Sequence, residues 1–146
     1  MIRTPRRRRH ALSVLVLAVL SLLLSVVPAN AAASTDPNPQ TSGCAASMSH
    51  EAAIDVNDGG QEVATVHLRY SRSCGTQWVN AYFLPGYSAE PSVWLQNAGG
   101  NLYTAYSDGG SACTYQLFDM ANWVGCGGAH IYHNGVHVTW AYVGCF

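Results

Sequence analysis

Three closely spaced histidines are the residues whose type and spacing most directly suggest metal chemistry. His130, His133 and His137 lie within eight residues of one another, and imidazole nitrogens are common ligands of zinc and related metals. Between them, Asn134-Gly135 is the preferred two-residue turn of a β-hairpin. In that hairpin His130 and His137 share one face and His133 lies on the other. We therefore expect exposed polar hairpin residues, with no metal site and no cofactor.

Aromatic side chains are the second group that could bind a ligand. The chain has 4 tryptophans, 8 tyrosines and 3 phenylalanines, and such amphipathic rings suit a platform for sugars or peptides. Trp78 and Trp94 are candidate binding residues on this basis, with Trp123 and Trp140 as further members of the platform. The competing interpretation is that most rings form the core of a chain that is short of leucine.

The charge distribution limits the class of partner. Five of the 7 basic residues are arginines within the first nine positions, and the chain from residue 34 onward keeps only Arg69 and Arg72 against all 8 acidic residues. Its formal net charge is therefore −6, which argues against nucleic acid or anionic lipid as a partner. Arg69 and Arg72 are candidate anion-binding residues. The alternative, which we favour, is an ion pair with an acidic residue or stacking on an aromatic ring.

The first 33 residues have the composition of a secretory signal. Arginines precede an apolar run over 11–27, and Pro28 and small residues in A-x-A patterns follow it. We predict cleavage after Ala31 or Ala33, export from the cell, and no stable membrane insertion after cleavage. An uncleaved anchor is the alternative, because about 17 apolar residues can just span a bilayer.

Beyond the signal, a polar lead-in over 34–43 precedes a single domain over 44–146 whose pattern indicates β-strands. Residues 62–70 alternate, with Ala64, Val66 and Leu68 pointing one way. A short helix is expected over 45–54. Further strands are expected over 77–83, 93–96, 102–106, 113–120, 129–133 and 136–143. We predict an all-β fold, a disulfide-stapled sandwich or barrel of about six to eight antiparallel strands.

The hairpin around Asn134-Gly135 is the most clearly specified element. In its simplest register Ile131 faces Val138 and Ala129 faces Trp140. The core face of the hairpin would then consist of Ile131, Val136, Val138 and Trp140. The other face would carry His130, Tyr132, His137 and Thr139.

Five cysteines, an odd number, are available for disulfides. The absence of a C-x-x-C pair argues against zinc. The hairpin places Cys126 and Cys145 on one face, two residues from direct opposition, and a bulge at Gly127-Gly128 would close that gap. The rival pairing is Cys113–Cys126, which would leave Cys145 available for dimerisation.

One stretch of sequence resembles a known family. The string Val66-His67-Leu68-Arg69-Tyr70-Ser71-Arg72-Ser73-Cys74, followed by Trp78, is similar to the V-x-L-R-Y-S-x-x-C-x-x-x-W signature of an actinobacterial family of small secreted domains of unknown function. Asp36-Pro37 and Ser42-Gly43-Cys44 resemble the DP…TGC lead-in of that family. The resemblance covers roughly residues 36–82.

The resemblance implies a small exported domain with a Cys44–Cys74 disulfide, and it implies no activity. Cys44 precedes the strand over 62–70 and Cys74 follows it, so the bond would tie the lead-in to the sheet. With Cys126–Cys145 as the second bond, Cys113 remains a thiol.

Two functional classes remain. The first is a secreted, non-enzymatic binding or structural domain, extracellular or associated with the envelope, with a protein or a polysaccharide as its ligand. The second is a small secreted enzyme or an enzyme inhibitor, for example of proteases, which rests only on size, disulfides and export. The sequence contains neither G-x-S-x-G nor H-E-x-x-H, so no catalytic residue is assigned.

Overall fold

Nine β-strands in two sheets make up most of the residues that the structure describes. This computed structural model describes residues 36–97, 101–102 and 104–146; the predicted secretory signal over 1–33 lies outside them. The strands are β1 (Met48–Asp58), β2 (Gln61–Ser71), β3 (Thr76–Phe83), β4 (Tyr87–Leu95), β5 (Asn101–Leu102), β6 (Thr104–Asp108), β7 (Ser111–Thr114), β8 (Gly125–His133) and β9 (Val136–Cys145).

The two sheets pack face to face as a sandwich. The first has the order β1-β2-β3-β7-β6 and the second the order β5-β4-β8-β9, and neighbouring strands are antiparallel. The predicted all-β fold is therefore confirmed, as a sandwich with open edges and with one strand more than the upper end of the predicted range. β1 and β9 are edge strands of different sheets, and they lie beside each other along one side of the sandwich.

The core lies between the sheets and follows the alternation of the strands. Ala64, Val66 and Leu68 of β2 are buried, as their spacing predicted, and they pack with Val79 and Ala81 of β3 and Ala129 and Ile131 of β8. At Gly127, a β-carbon would come within 2.8 Å of Leu68 Cδ1. The absence of a side chain there allows the sheets to approach closely.

Both predicted disulfides are present. Cys44 is bonded to Cys74 and Cys126 to Cys145, whereas Cys113 is buried and belongs to neither bond. The rival Cys113–Cys126 pairing is therefore wrong.

The lead-in is held to the domain by hydrogen bonds as well as by Cys44. Gln116 Nε2 donates to the carbonyl of Asp36 at 2.8 Å and to Ser42 Oγ at 2.9 Å. Within the lead-in, the Asp36 carboxylate accepts hydrogen bonds from the Thr41 hydroxyl and from the backbone N–H of Asn38. These two bonds lower the pKa of Asp36.

The helix predicted over 45–54 is wrong. A 3₁₀ turn covers only Cys44–Ser47, and β1 follows it directly. Ile54 pairs with Val66 and Val56 with Ala64, so this segment gains its backbone partners from β2 across the Gly59-Gly60 turn. The sequence itself contains evidence for a strand here, because apolar and polar residues alternate at 54–57 with the period of a strand.

Other predicted strand limits also changed. The single strand expected over 102–106 is divided between β5, which pairs with β4 in the second sheet, and β6, which pairs with β7 in the first. The strand expected over 113–120 ends at Thr114, with one isolated bridge between Leu117 and Gln77 beyond it. β4 begins at Tyr87, earlier than the predicted start at 93.

The hairpin of β8 and β9 contains two one-residue bulges, both in β9. Tyr132 pairs with His137 but Ile131 pairs with Thr139, so Val138 is the additional residue. A second shift, at Gly127-Gly128, makes Val143 additional. Each bulge moves the register by one residue. Together they close the two-residue gap and bring Cys145 directly opposite Cys126.

The bulge at Val138 corrects the predicted core face of the hairpin. Ile131 is buried as expected, but Trp140 is 38% exposed. Val136 precedes the bulge and keeps its predicted partner His133, yet it is 70% exposed because it lies at the turn end of the hairpin. Beyond Val138, a residue that would have pointed inward points outward, because adjacent strand residues face opposite sides. Thr139 and Ala141 take the inward positions, opposite Ile131 and Ala129.

Candidate functional site

The outer face of the second sheet collects a group of aromatic and imidazole side chains that we call the aromatic face. β4, β8 and β9 all contribute to it, and the shift at Val138 places Trp140 and Tyr142 of β9 there. It consists of Trp94, His130, Tyr132, His137, Trp140 and Tyr142.

Three rings form the centre of the aromatic face. The ring centroids of Trp94 and Trp140 are 6.2 Å apart with an angle of 31° between their planes, and those of Trp94 and Tyr142 are 6.1 Å apart at 22°. Trp140 is 38% and Tyr142 47% exposed. Offset rings at such separations attract one another, and we call these three rings together the shelf.

Gly128 on the intervening strand allows these rings to meet. It pairs with Ser92 of β4 on one side and with Tyr142 of β9 on the other. A β-carbon at Gly128 would come within 2.7 Å of Trp140 Cζ2, so the indole lies directly over the glycine. Rings from β4 and β9 therefore come into contact across β8.

Polar groups border the shelf at one end. His130 Nδ1 and His137 Nε2 are 3.0 Å apart, which indicates a hydrogen bond between the two imidazoles. The His130 ring also packs against Trp140, with centroids 4.5 Å apart. Tyr132 donates its hydroxyl proton to Glu90 Oε2 at 2.9 Å. This hydrogen bond, with a smaller effect of burial and of the Glu90 charge, raises the pKa of Tyr132 above 10.0.

The Cys126–Cys145 disulfide supports the other end of the shelf. Cys126 lies opposite Trp94 in the pairing of β4 and β8. The Tyr142 hydroxyl donates to Cys145 Sγ at 2.9 Å. Trp94 and Tyr142 are thus both adjacent to the cross-link that joins β8 to β9.

The candidate binding residues from the sequence do not converge on one site. Trp94 lies on the aromatic face. Trp78 is completely buried, and its indole N–H donates to Asn80 Oδ1 at 2.7 Å, so it belongs to the interior and offers no surface to a ligand. Arg69, half-buried, pairs with Trp78 in the first sheet, and Arg72 is exposed in the turn after β2. Neither arginine forms an ion pair with a described carboxylate.

The three histidines are separated as the hairpin predicted. His130 and His137 share the aromatic face, whereas His133 stacks on Tyr87 with centroids 4.3 Å apart. Its Nδ1 lies 3.9 Å from Asp58 Oδ2, and Asp58 also accepts the Tyr87 hydroxyl proton. Burial and this acceptor raise the pKa of Tyr87. No group of three or more histidine, cysteine, aspartate or glutamate side chains in the described residues is arranged to hold a metal ion.

A groove borders the aromatic face at Trp140. It has a volume of about 410 Å³ and runs between the edges of β1 and β9. Ile54 and Val138 provide apolar walls, and Asp55 and Asp58 give it acidic character. Trp140 therefore belongs both to the shelf and to the lining of the groove.

Comparison with known proteins identifies no relative, since no family model, no curated protein and no solved structure matches the chain. The resemblance to the actinobacterial family of secreted domains therefore stays a prediction.

Two properties of the described residues bear on the location of the protein. The disulfides indicate an oxidising compartment, and no helix in the described ranges is long and apolar enough to cross a bilayer.

Proposed function

We propose that the protein is a secreted, non-enzymatic binding domain whose aromatic face binds a neutral polysaccharide outside the cell or at its envelope. The observation that carries this proposal is the shelf of Trp94, Trp140 and Tyr142, three partly exposed rings with similarly oriented planes on one sheet face. A contiguous apolar surface of this kind, bordered by polar groups, is characteristic of an interaction site.

The chemistry of the shelf matches the two kinds of surface that a sugar ring presents. The C–H groups of a pyranose form an apolar face that can lie on aromatic rings, and its hydroxyls require donors and acceptors at the border. His130, His137, Tyr132 and Glu90 provide these groups beside the rings. The disulfide at the opposite end keeps the rings in place without a ligand, which reduces the entropic cost of binding.

Charge favours a neutral over an anionic polysaccharide. Beyond residue 33, acidic residues outnumber arginines by eight to two, and neither Arg69 nor Arg72 lies on the aromatic face. Glu90 lies at its border, and Asp55 and Asp58 line the groove beside Trp140. A uronate or phosphate chain would meet repulsion without a compensating cation. The arginine-rich, apolar start of the chain and the two disulfides support an extracellular site of action.

Co-sedimentation with insoluble polysaccharides tests the proposal. The disulfide-bonded protein is expected to bind cellulose or chitin, and to bind cross-linked carboxymethyl-cellulose more weakly. Replacing Trp94 and Trp140 together by alanine should weaken binding about tenfold or more, because each lost ring contact removes roughly 1 kcal/mol. Trp123→Ala is the matched control, since Trp123 is 54% exposed and lies outside the aromatic face. Undiminished binding by the double variant, or no binding of the native protein to either neutral polysaccharide, would overturn the proposal.

A further inference from the structure

Two histidines at the border of the aromatic face bring their ring nitrogens together. His130 of β8 and His137 of β9 are both exposed, and His130 Nδ1 lies 3.0 Å from His137 Nε2. We call them the histidine pair. In a hydrogen bond between two neutral imidazoles, one facing nitrogen carries a proton and the other supplies a lone pair. When that proton moves to the other nitrogen of its ring, both facing nitrogens have lone pairs.

The distance within the histidine pair is also the distance that two ligands of one metal ion require. Imidazole nitrogens bind Zn²⁺ at about 2.0–2.1 Å, so two of them at neighbouring positions around the metal are roughly 3 Å apart. The two facing nitrogens already have this spacing. A metal ion can therefore replace the proton that the two rings share.

Neighbouring aromatic rings restrict both imidazoles. The ring of His130 packs against Trp140, with centroids 4.5 Å apart and an angle of 45° between the planes. The ring of His137 packs edge-on against Tyr132, with centroids 5.4 Å apart and an angle of 72°. Side chains that are already restricted lose less conformational entropy when a ligand binds. The packing therefore favours binding by both rings at once.

The charge around the histidine pair favours a cation. Glu90 of β4 lies directly opposite His130 in the pairing of β4 and β8, and its carboxylate accepts the Tyr132 hydroxyl proton at 2.9 Å. Arg69 lies in β2 of the other sheet, and Arg72 lies in the turn after β2. A dication at the pair is therefore attracted by a neighbouring carboxylate, and neither arginine opposes it there.

We infer that His130 and His137 form a bidentate site for a divalent transition-metal ion that prefers imidazole ligands, of which Cu²⁺ and Zn²⁺ are examples. The metal ion takes the lone pairs of His130 Nδ1 and His137 Nε2, and each ring keeps one proton on its other nitrogen. Water fills the remaining positions, because no group of three or more histidine, cysteine or acidic side chains in the described ranges can hold a metal ion.

This inference differs from the sequence-based expectation of no metal site. That expectation was based on three histidines, one of which, His133, lies on the other face of the hairpin. A bidentate site needs only the two that share a face. It also goes beyond polysaccharide binding and does not depend on it.

Titration of the disulfide-bonded protein, produced without a polyhistidine tag, tests the inference with Cu²⁺, Zn²⁺ and Mg²⁺. Calorimetry should show one site for Cu²⁺, weaker binding of Zn²⁺ and no binding of Mg²⁺, which prefers oxygen ligands. Bound Cu²⁺ should also quench the fluorescence of Trp140, because that ring packs against His130. Two results would overturn the inference. One is the absence of saturable Cu²⁺ binding, and the other is equally tight binding of Mg²⁺, which would indicate a general attraction to acidic residues.

Histidine variants locate the metal ion. His130→Gln and His137→Gln should each weaken Cu²⁺ binding about tenfold or more, because a single imidazole lacks the advantage of a second linked ligand. His133→Gln is the matched control on the other face of the same hairpin and should bind Cu²⁺ as the native protein does. All three side chains are exposed, so the substitutions remove no core contact. An equal loss of affinity in all three variants, or in none of them, would contradict the assignment. The titrations contain no polysaccharide, so failure of polysaccharide binding would leave their result intact.

Discussion

Gly128 provides the space that the Trp140 ring occupies on the aromatic face. A β-carbon there would lie 2.6 Å from the backbone oxygen of Ala141 and 2.7 Å from the Trp140 indole. We expect Gly128→Ala to displace Trp140 and to lower the free energy of unfolding by about 1–3 kcal/mol, the usual cost of overpacking. Urea denaturation measures this value. Gly109→Ala is the control, since nothing lies within 4 Å of its β-carbon, and an equal loss at both positions would contradict the prediction.

A second prediction for a single residue concerns the pKa of Tyr132, which depends on its hydrogen bond to Glu90. Donation to Glu90 favours the protonated phenol, so the pKa of Tyr132 is raised above 10.0 in the folded state. The stabilisation from this bond is therefore fully present below pH 10.0 and is lost as the pH rises through the folded pKa. Glu90→Gln should move the pKa of Tyr132 back towards 10.0. Ring-carbon NMR titration follows it, with Tyr132→Phe to assign the signal, and an unchanged titration would refute the prediction.

At the scale of the elements, the terminal hairpin shows what sequence patterns can and cannot predict. Alternation located β2 correctly, and the Asn134-Gly135 dipeptide located the turn, because each is a local property of the residues themselves. Alternation also covers residues 54–57 of β1, at the end of the segment for which a helix was predicted. The bulges of β9 were different. A one-residue slip costs little locally but reverses which side chains face the core, so Trp140 was predicted inside and lies outside.

The candidate site was only partly predictable for the same reason. Trp94 could be proposed from composition and is correctly placed in a strand. Its partners Trp140 and Tyr142 lie on the aromatic face because of the shifted register of β9. That register depends on packing over the whole sandwich and not on the residues next to them in the sequence. Trp78 is the opposite case, because it was a candidate for the surface and is buried in the core. A large apolar ring can occupy either kind of position, and only the packing of the folded chain decides between them.

The disulfide of the hairpin allows a prediction at this scale. Cys126 and Cys145 are 19 residues apart, and closing a loop of that size stabilises the folded chain by about 3 kcal/mol in the chain-entropy model. The double variant Cys126→Ser, Cys145→Ser should lower the free energy of unfolding by about that amount. It should also weaken polysaccharide binding, because Tyr142 donates to Cys145 Sγ. An unchanged urea midpoint would show that the bond is not structural.

At the scale of the whole molecule, the prediction concerns the net charge of the chain after cleavage of the predicted secretory signal. The intact chain has a pI of about 6.6, but five of its 7 basic residues lie in the first nine positions. The exported form should therefore be clearly more acidic than the intact chain. Isoelectric focusing of protein from the culture medium, with its mass determined in parallel, tests this together with cleavage after Ala31 or Ala33. Focusing near the pI of the intact chain would show that the arginine-rich segment is retained.

The bulges of β9 have one more consequence, which concerns contacts between molecules. β1 and β9 are outer strands, and an outer strand with regular hydrogen-bond spacing is a template on which another chain can polymerise. β9 is interrupted at Val138 and Val143, and β1 has register shifts after His50 and after Val56. Each interruption breaks the repeat that a second copy would need in order to add as a strand. The irregularity that exposes Trp140 and Tyr142 would therefore also protect concentrated protein from fibril formation.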